Sequence, residues 1–262
     1  MIIGGLQMKT IEFDGSFEGF LTATQHALQE GAPYPGIQAQ HSLREGWLFE
    51  SEYVESQPEI AYACYKALLR AGGRHSAQLL LQAFLADIPE SEHSLFEFAR
   101  LTLSGEESVL GWRQHPAVST LHKLAHKVAC ETHRFMGMLR FVELRDGMLY
   151  ARYAPDHQIT LLLARHFRDR MPREKWVIHD IRRSYAVAWN GCSLEQAVEV
   201  PENVLEHLSP EESIFQGLWR LFTQRITIEE RRNPQLQRRF MPVRYWTYLT
   251  EKNGRVAAAA AR

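Results

Sequence analysis

At Gly137 the hydrophobic period of this chain changes, and that change limits the folds open to it. From Pro58 to Gly137 apolar residues recur at helical spacing, in segments punctuated by Gly72-Gly73, Pro89, Gly105 and Pro116. After Gly137 they alternate. MLRFVEL and MLYARY flank Arg145-Asp146-Gly147-Met148, and Asp-Gly between alternating runs signals a two-residue hairpin. In that register Leu144 faces Leu149 and Val142 faces Ala151 on an apolar face. Phe141, Glu143, Tyr150 and Arg152 take the other face. Pro155-Asp156 opens a helix continued by ITLLLARHFRDR, and WVIHDI and SYAVAW follow as two more strands, with Asn190-Gly191 as a turn. The expected class is α+β: an antiparallel sheet with a strand-strand-helix-strand-strand core and a large helical portion.

The flanks complete the expected layout. KTIEFDGSFEGFLTATQHAL reads as a strand, a turn capped by Asp14-Gly15-Ser16, and a helix that Gly31 and APYPG end. Residues 46–54 suit another strand. A last long helix opens at Ser209-Pro210-Glu211-Glu212, a capping box with proline at the first helical position. Ile214, Phe215, Leu218, Leu221 and Phe222 form its apolar face. We divide the chain into a strand-helix and helical region (1–115), an α+β core with the C-terminal helix (116–254) and a disordered alanine-rich tail (255–262).

No apolar run approaches the roughly 20 residues that span a bilayer, and MIIGGLQMK is too short for a signal peptide. A cytoplasmic protein without membrane contact is expected. Cys64, Cys130 and Cys192 are widely spaced and odd in number, which argues against a disulfide framework or a thiolate zinc site. They read as buried free thiols in a reducing compartment. The net charge of -1 hides an asymmetry. Met1 to Cys130 carries 9 Lys+Arg against 15 Asp+Glu; Glu131 to Arg262 carries 21 against 16. Of those 21 cations 19 are arginine, whose planar fork suits phosphate, carboxylate and aromatic faces. A surface of arginine–carboxylate pairs would use the same residues. Any nucleic-acid contact should be local, because the whole chain is not basic.

Several residues stand out chemically. In AVSTLHKLAHKVACETHRF, His122, His126 and His133 share one helix edge beside the apolar arc of Leu121, Leu124, Ala125, Val128 and Phe135. Three turns spread them over about 16 Å, too far to share one ion, so no metal is expected. In ITLLLARHFRDR, His166 and Arg170 fall within the arc of Ile159, Leu162, Leu163 and Phe167. Arg170 then needs a carboxylate, a phosphate or an escape to solvent. In HDIRR a regular strand puts His179, Ile181 and Arg183 on one face and Asp180 and Arg182 on the other. Ion pairs among Asp180, Arg170 and Arg182 are the plain structural reading. EERRNPQLQRRFMPVRYW interleaves arginines with Phe240, Tyr245 and Trp246, which suits stacking on unpaired bases and equally a C-terminal segment clamped onto its own domain. The sequence carries no nucleotide-binding glycine loop, Gly-x-Ser-x-Gly elbow or Cys-x-x-x-Cys-x-x-Cys cluster.

ETHRFMGMLRF, DGMLYARYAPDHQI, HFRDRMPREKWVIHDIRRSYAVAWNG and ERRNPQLQRRFMPVRYW, with IEFDGSFEGFL near the start, resemble a bacterial family described as DNA metabolism or DNA repair proteins. Its core is a domain of unknown function. Members are encoded beside a radical SAM protein, and a similar domain is fused elsewhere to a uracil-DNA-glycosylase-type domain. The resemblance implies an accessory protein that binds DNA or a nucleotide and works with the radical SAM partner. Any radical chemistry belongs to that partner, so no cofactor is expected here. Carried onto this sequence, it points to Arg134, Arg140, Arg170, Arg182, Arg183, Arg231, Asn233, Arg244 and Trp246 as nucleic-acid contacts. The alternatives are an acid–base enzyme using His133, His166 and Asp180 on a nucleotide or damaged base, and a module that docks a partner without touching DNA.

Overall fold

Residues 10–31, 36–40, 51–105, 109–196 and 199–252 are described by the structure, a computed structural model. They fall into two units, Met1–Ala129 and Cys130–Arg262. In the first unit, strands β1 (Thr10–Phe13), β2 (Gly36–Ala39) and β3 (Ser51–Tyr53) form a sheet in the order β2-β1-β3. Both pairings are parallel. Helix α1 (Phe17–Glu30) starts where the sequence signals it: the Ser16 hydroxyl accepts the Gly19 N–H at 2.8 Å, and Gly31 ends the helix at φ 64. Behind it come α2 (Pro58–Phe84) and α3 (Glu92–Leu103). Gly73 leaves helical geometry at φ 73 and kinks α2. A Cβ on Gly72 would meet the Thr102 methyl of α3 at 2.5 Å, so the Gly72-Gly73 pair permits a close helix approach. Ile11, Phe13, Phe20, Leu68, Leu80 and Phe98 are fully buried here. The alternation of Ile11 and Phe13 thus marks a real strand. Of the 46–54 expectation β3 is present at Ser51–Tyr53, while residues 46–50, APYPG up to Pro35 and the tail from residue 255 lie outside the described residues. Helix α4 (Pro116–Met138) contains the division between the units, and its expected apolar arc is buried throughout.

The second unit is built on a five-stranded sheet, ordered β4 (Val142–Glu143), β5 (Leu149–Tyr153), β6 (Trp176–Asp180), β7 (Tyr185–Trp189) and β8 (Leu194–Gln196). The expected strand-strand-helix-strand-strand order is present. The sheet is mixed, however, and not purely antiparallel, because β5 and β6 run parallel. Helix α5 (Thr160–Arg170) is the reason. A helical crossover returns the chain to the edge it left, so the strand laid beside β5 must run the same way. The α+β class holds; one sheet is parallel and the other mixed.

Local details depart from the expected ones for identifiable reasons. The 142–153 hairpin closes with Leu144 N–H on Met148 O and Gly147 N–H on Leu144 O, both 2.9 Å. Its loop therefore holds three residues, with Gly147 at φ 79, and not two. The register shifts by one: Val142 opposes Tyr150, and Glu143 opposes Leu149. Tyr150 accordingly joins Val142, Leu144, Val177 and Ala186 on the apolar face, covered by Val200, Val204, Leu205 and Leu208. Residues 155–157 form a loop instead of the first turn of α5. The last long helix, α6 (Glu212–Arg225), starts without a side-chain cap, because Glu212 turns its carboxylate to the Glu143 N–H at 2.9 Å. The amphipathic pattern of α6 is present but faces outward. Glu212 is buried and Gln216 and Thr223 half-buried, while Ile214, Phe215, Leu218, Leu221 and Phe222 stand about half exposed. Among the thiols only Cys64 is buried; Cys130 is half-buried and Cys192 exposed on the β7–β8 turn. Among the described residues no helix is long and apolar enough to cross a membrane.

Candidate nucleic-acid interface

Two polar assemblies in the second unit gather the residues singled out by sequence. The first surrounds the loop Pro155–His157. Glu131 on α4 is 2% exposed, and its carboxylate accepts the backbone N–H groups of Asp156 (2.8 Å) and His157 (2.9 Å). The hydroxyl of buried Tyr245 donates to the same carboxylate. From the other side Arg183 donates to the carbonyls of Asp156 at 2.9 Å and Pro155 at 3.3 Å, and to the Asp180 carboxylate at 2.9 Å. Strand β6 ends at Asp180, whose Oδ1 also accepts the N–H groups of Arg182 and Arg183 as the chain turns. The turn folds Arg183 back onto Asp180, so the two-face reading of HDIRR does not extend past Asp180. Asp180 pairs with Arg183, not with Arg170 or Arg182. Arg244 donates to Asp156 and to the Tyr245 hydroxyl, and Arg182 lies 3.9 Å from Asp156.

Burial sets the electrostatics of this assembly. It raises the Asp180 carboxyl above the ordinary aspartate value, against the opposing pull of Arg183. It pushes the Tyr245 hydroxyl strongly upward, and the bond to Glu131 and the charges of Glu131 and Asp156 add to the shift. A neutral tyrosine is thereby fixed as the donor that ties the C-terminal segment to the body. The clamp reading of the RYW block applies to Arg244 and Tyr245.

The second assembly is an open groove of about 1110 Å³ bounded by α6, α7 (Pro234–Phe240) and the end of α4. Asn233 builds its entrance: the side-chain oxygen caps α7 by accepting the Leu236 N–H at 2.9 Å, with Pro234 at the first helical position. Arg140 braces the floor. Its guanidinium meets Glu251 through two nitrogens at 2.8 and 3.2 Å, donates to the Gly137 carbonyl at the end of α4, and lies over the Trp219 ring. Burial works against the Glu251 carboxylate, yet the bonds from Arg140 and Trp219 hold it below the usual glutamate range. Arg220, Arg231, Arg232 and Lys252 line the groove with Leu236 and Phe240, and Phe240 is 60% exposed. Trp246 is occupied otherwise: its ring N–H donates to the Met241 carbonyl at 2.9 Å.

Of the expected residues, the structure brings Asp180, Arg182, Arg183 and Arg244 together around Asp156, and Arg231 and Asn233 together at the groove. His133 is exposed on α4, and Arg134 on the same helix is half-buried. His166 is half-buried on α5 with its ring edge-on to Phe167, and Arg170 is exposed at the last residue of that helix. Among the described residues no hydrogen bond joins any two of His133, His166 and Asp180. The sequence reading missed Glu131 and the acceptor role of Asp156, while Tyr245, named there as a stacking ring or part of a clamp, serves the clamp. Glu131 had a signal: it falls on the same helical arc as Leu124, Val128 and Phe135, an acid inside an apolar stripe. It also missed the Tyr150 hydroxyl against His179 Nδ1 at 2.8 Å, a pair in which burial lowers the imidazole and raises the phenol.

A family model described as a domain of unknown function, DUF4130, matches residues 89–251, more than half of the chain. The chain belongs to this family. Both assemblies lie inside the matched residues but for Lys252, whereas the parallel sheet of the first unit lies outside them. A search of curated proteins found no match.

Proposed function

We propose that this protein binds unpaired nucleic acid, single-stranded DNA in the first place, in the groove between α6 and α7. The observation that carries the reading is the exposed Phe240 ring set among guanidinium groups in an open groove. Exposed aromatics beside arginines are what stacking on bases and pairing with backbone phosphates require. Between Arg220 and Lys252 the chain holds eight Lys+Arg and three glutamates, so the local charge is positive although the whole chain is near neutral. Among the described residues the Arg231 side chain has no hydrogen-bond or ion-pair partner, which leaves its guanidinium available to a phosphate. Arg140 supports the site by holding Glu251 and the Gly137 carbonyl in its wall, whereas Arg183 and Arg244 brace the first assembly. Their carboxylate partners Glu251, Asp180 and Asp156 already occupy them.

The resemblance to DNA metabolism proteins supports placing this binding in DNA modification or repair, as an accessory to a radical SAM protein. The test is fluorescence anisotropy of a labelled single strand and the matching duplex at two salt concentrations. Single-strand binding should be tighter, because stacking needs unpaired bases. With roughly four phosphate contacts the salt slope should be about −3. Absence of salt-sensitive binding to either substrate removes the reading.

A further inference from the structure

Helix α6 turns its polar side toward its own unit and its apolar side outward. Along that outward side lie Glu211, then Ile214 and Phe215, then Leu218, then Leu221 and Phe222, then Arg225. At 100° per residue all seven fall within one arc of roughly 120°. The series reads the same in both directions about Leu218: a charge, an apolar pair, a single leucine, an apolar pair, a charge. The two end charges are opposite, and among the described residues neither Glu211 nor Arg225 has a partner. Ile214 is 62% exposed and Leu218 55%.

A stripe with this symmetry is complementary to itself when reversed. We propose that α6 pairs with α6 of a second copy of this chain, antiparallel, about a two-fold axis at Leu218. Leu218 then meets its own copy, Ile214 and Phe215 meet Phe222 and Leu221, and Glu211 of each chain meets Arg225 of the other. An isologous contact has this form, with every interaction made twice. The antiparallel arrangement also sets each helix N-terminus beside a C-terminus, which the helix dipoles favour. Covering the exposed surface of the five apolar residues, with the neighbouring Trp219, removes on the order of 500 Å² per copy from water, about the size that a specific two-fold contact must reach. The groove takes α6 through Arg220, Thr223 and Gln224 and the residue after it, Ile226, none of them in the stripe, so pairing through the stripe leaves it open.

Sedimentation velocity of the full chain across the micromolar range tests the proposal. The expected result is a monomer–dimer equilibrium that Leu218→Asp shifts toward monomer at least tenfold, since two aspartates would face each other at the axis. Ser213→Asp, on the far side of α6, should leave it unchanged. Glu211→Arg and Arg225→Glu should each weaken the dimer about tenfold, and the double variant Glu211→Arg/Arg225→Glu should recover it to within about threefold. Circular dichroism shows that each variant is folded. A wild-type chain that stays monomeric overturns the proposal and leaves the stripe to a different protein. So does a dimer indifferent to Leu218→Asp, or a charge swap that fails to restore what the single reversals lose.

Discussion

Replacing Arg183 by methionine tests how the first polar assembly is held. The Asp180 side chain is 1% exposed and that of Arg183 16%, so water does little to screen the pair. The substitution keeps apolar bulk, removes the guanidinium from Asp180 Oδ2, and strips donors from the carbonyls of Pro155 and Asp156. Asp180 retains the N–H of Arg182 at 3.0 Å and that of residue 183 at 3.3 Å. A buried charge left without its partner costs about 3–5 kcal/mol, a large share of the 5–15 kcal/mol that holds a typical domain. The loss should depend on pH in a defined direction. Burial already raises Asp180 above its unfolded value, so its contribution to stability is greatest in acid and falls as pH climbs through the folded-state value. Removing Arg183 raises the carboxyl further. The deficit should therefore be full at and above neutral pH and shrink as the pH falls into acid, where the buried carboxyl takes up its proton. Urea unfolding followed by tryptophan fluorescence reads this directly, because Trp176 is fully buried on the same strand as Asp180. The double variant Asp180→Asn/Arg183→Met should recover much of the neutral-pH loss. A deficit that is constant with pH, or that grows in acid, would refute the reasoning.

Three further outcomes are expected. Tyr245→Phe deletes the donor to Glu131 and the acceptor for Arg244, and should lower stability by about 1–2 kcal/mol in the same unfolding assay. Thiol labelling of the native protein near pH 8 should modify Cys192 quickly and leave Cys64 untouched, since burial pushes the Cys64 thiol up to about 11 while Cys192 is exposed. Gly73→Ala should destabilise by about 1 kcal/mol by calorimetry, because φ 73 strains any side-chain-bearing residue, even though nothing lies within 4 Å of the added methyl.

The second half of the fold was legible because its cues are local. The period change at Gly137, the Asp146-Gly147 turn and the alternation in WVIHD and YAVAW depend on near neighbours in sequence, and all mark real elements. Strand direction is not local: that β6 lies beside β5 follows from where α5 packs. The hairpin register depended on a single choice between a two- and a three-residue loop, and the left-handed Gly147 decided it. For α6 the periodicity marked the helix and its apolar face but not where that face points, since an apolar stripe shows that something should cover it without showing what. At the site, charge bias singled out the arginines of the second half. Which of them are internal braces, as Arg140, Arg183 and Arg244 are, depends on acids that spacing does not assign: Glu251 and Asp156, distant in sequence, and Asp180, three residues away but reached only by a turn.

The groove between α6 and α7 as the seat of nucleic-acid binding is tested most directly by photo-crosslinking a single strand to the full chain and mapping the modified peptides. Crosslinks should concentrate between Ile226 and Met241, with Phe240 the leading position, and should fall sharply in an Arg231→Glu/Arg232→Glu variant that folds normally. Crosslinks that map instead to the sheet of the second unit or to the first unit, or that persist undiminished in that variant, would contradict it.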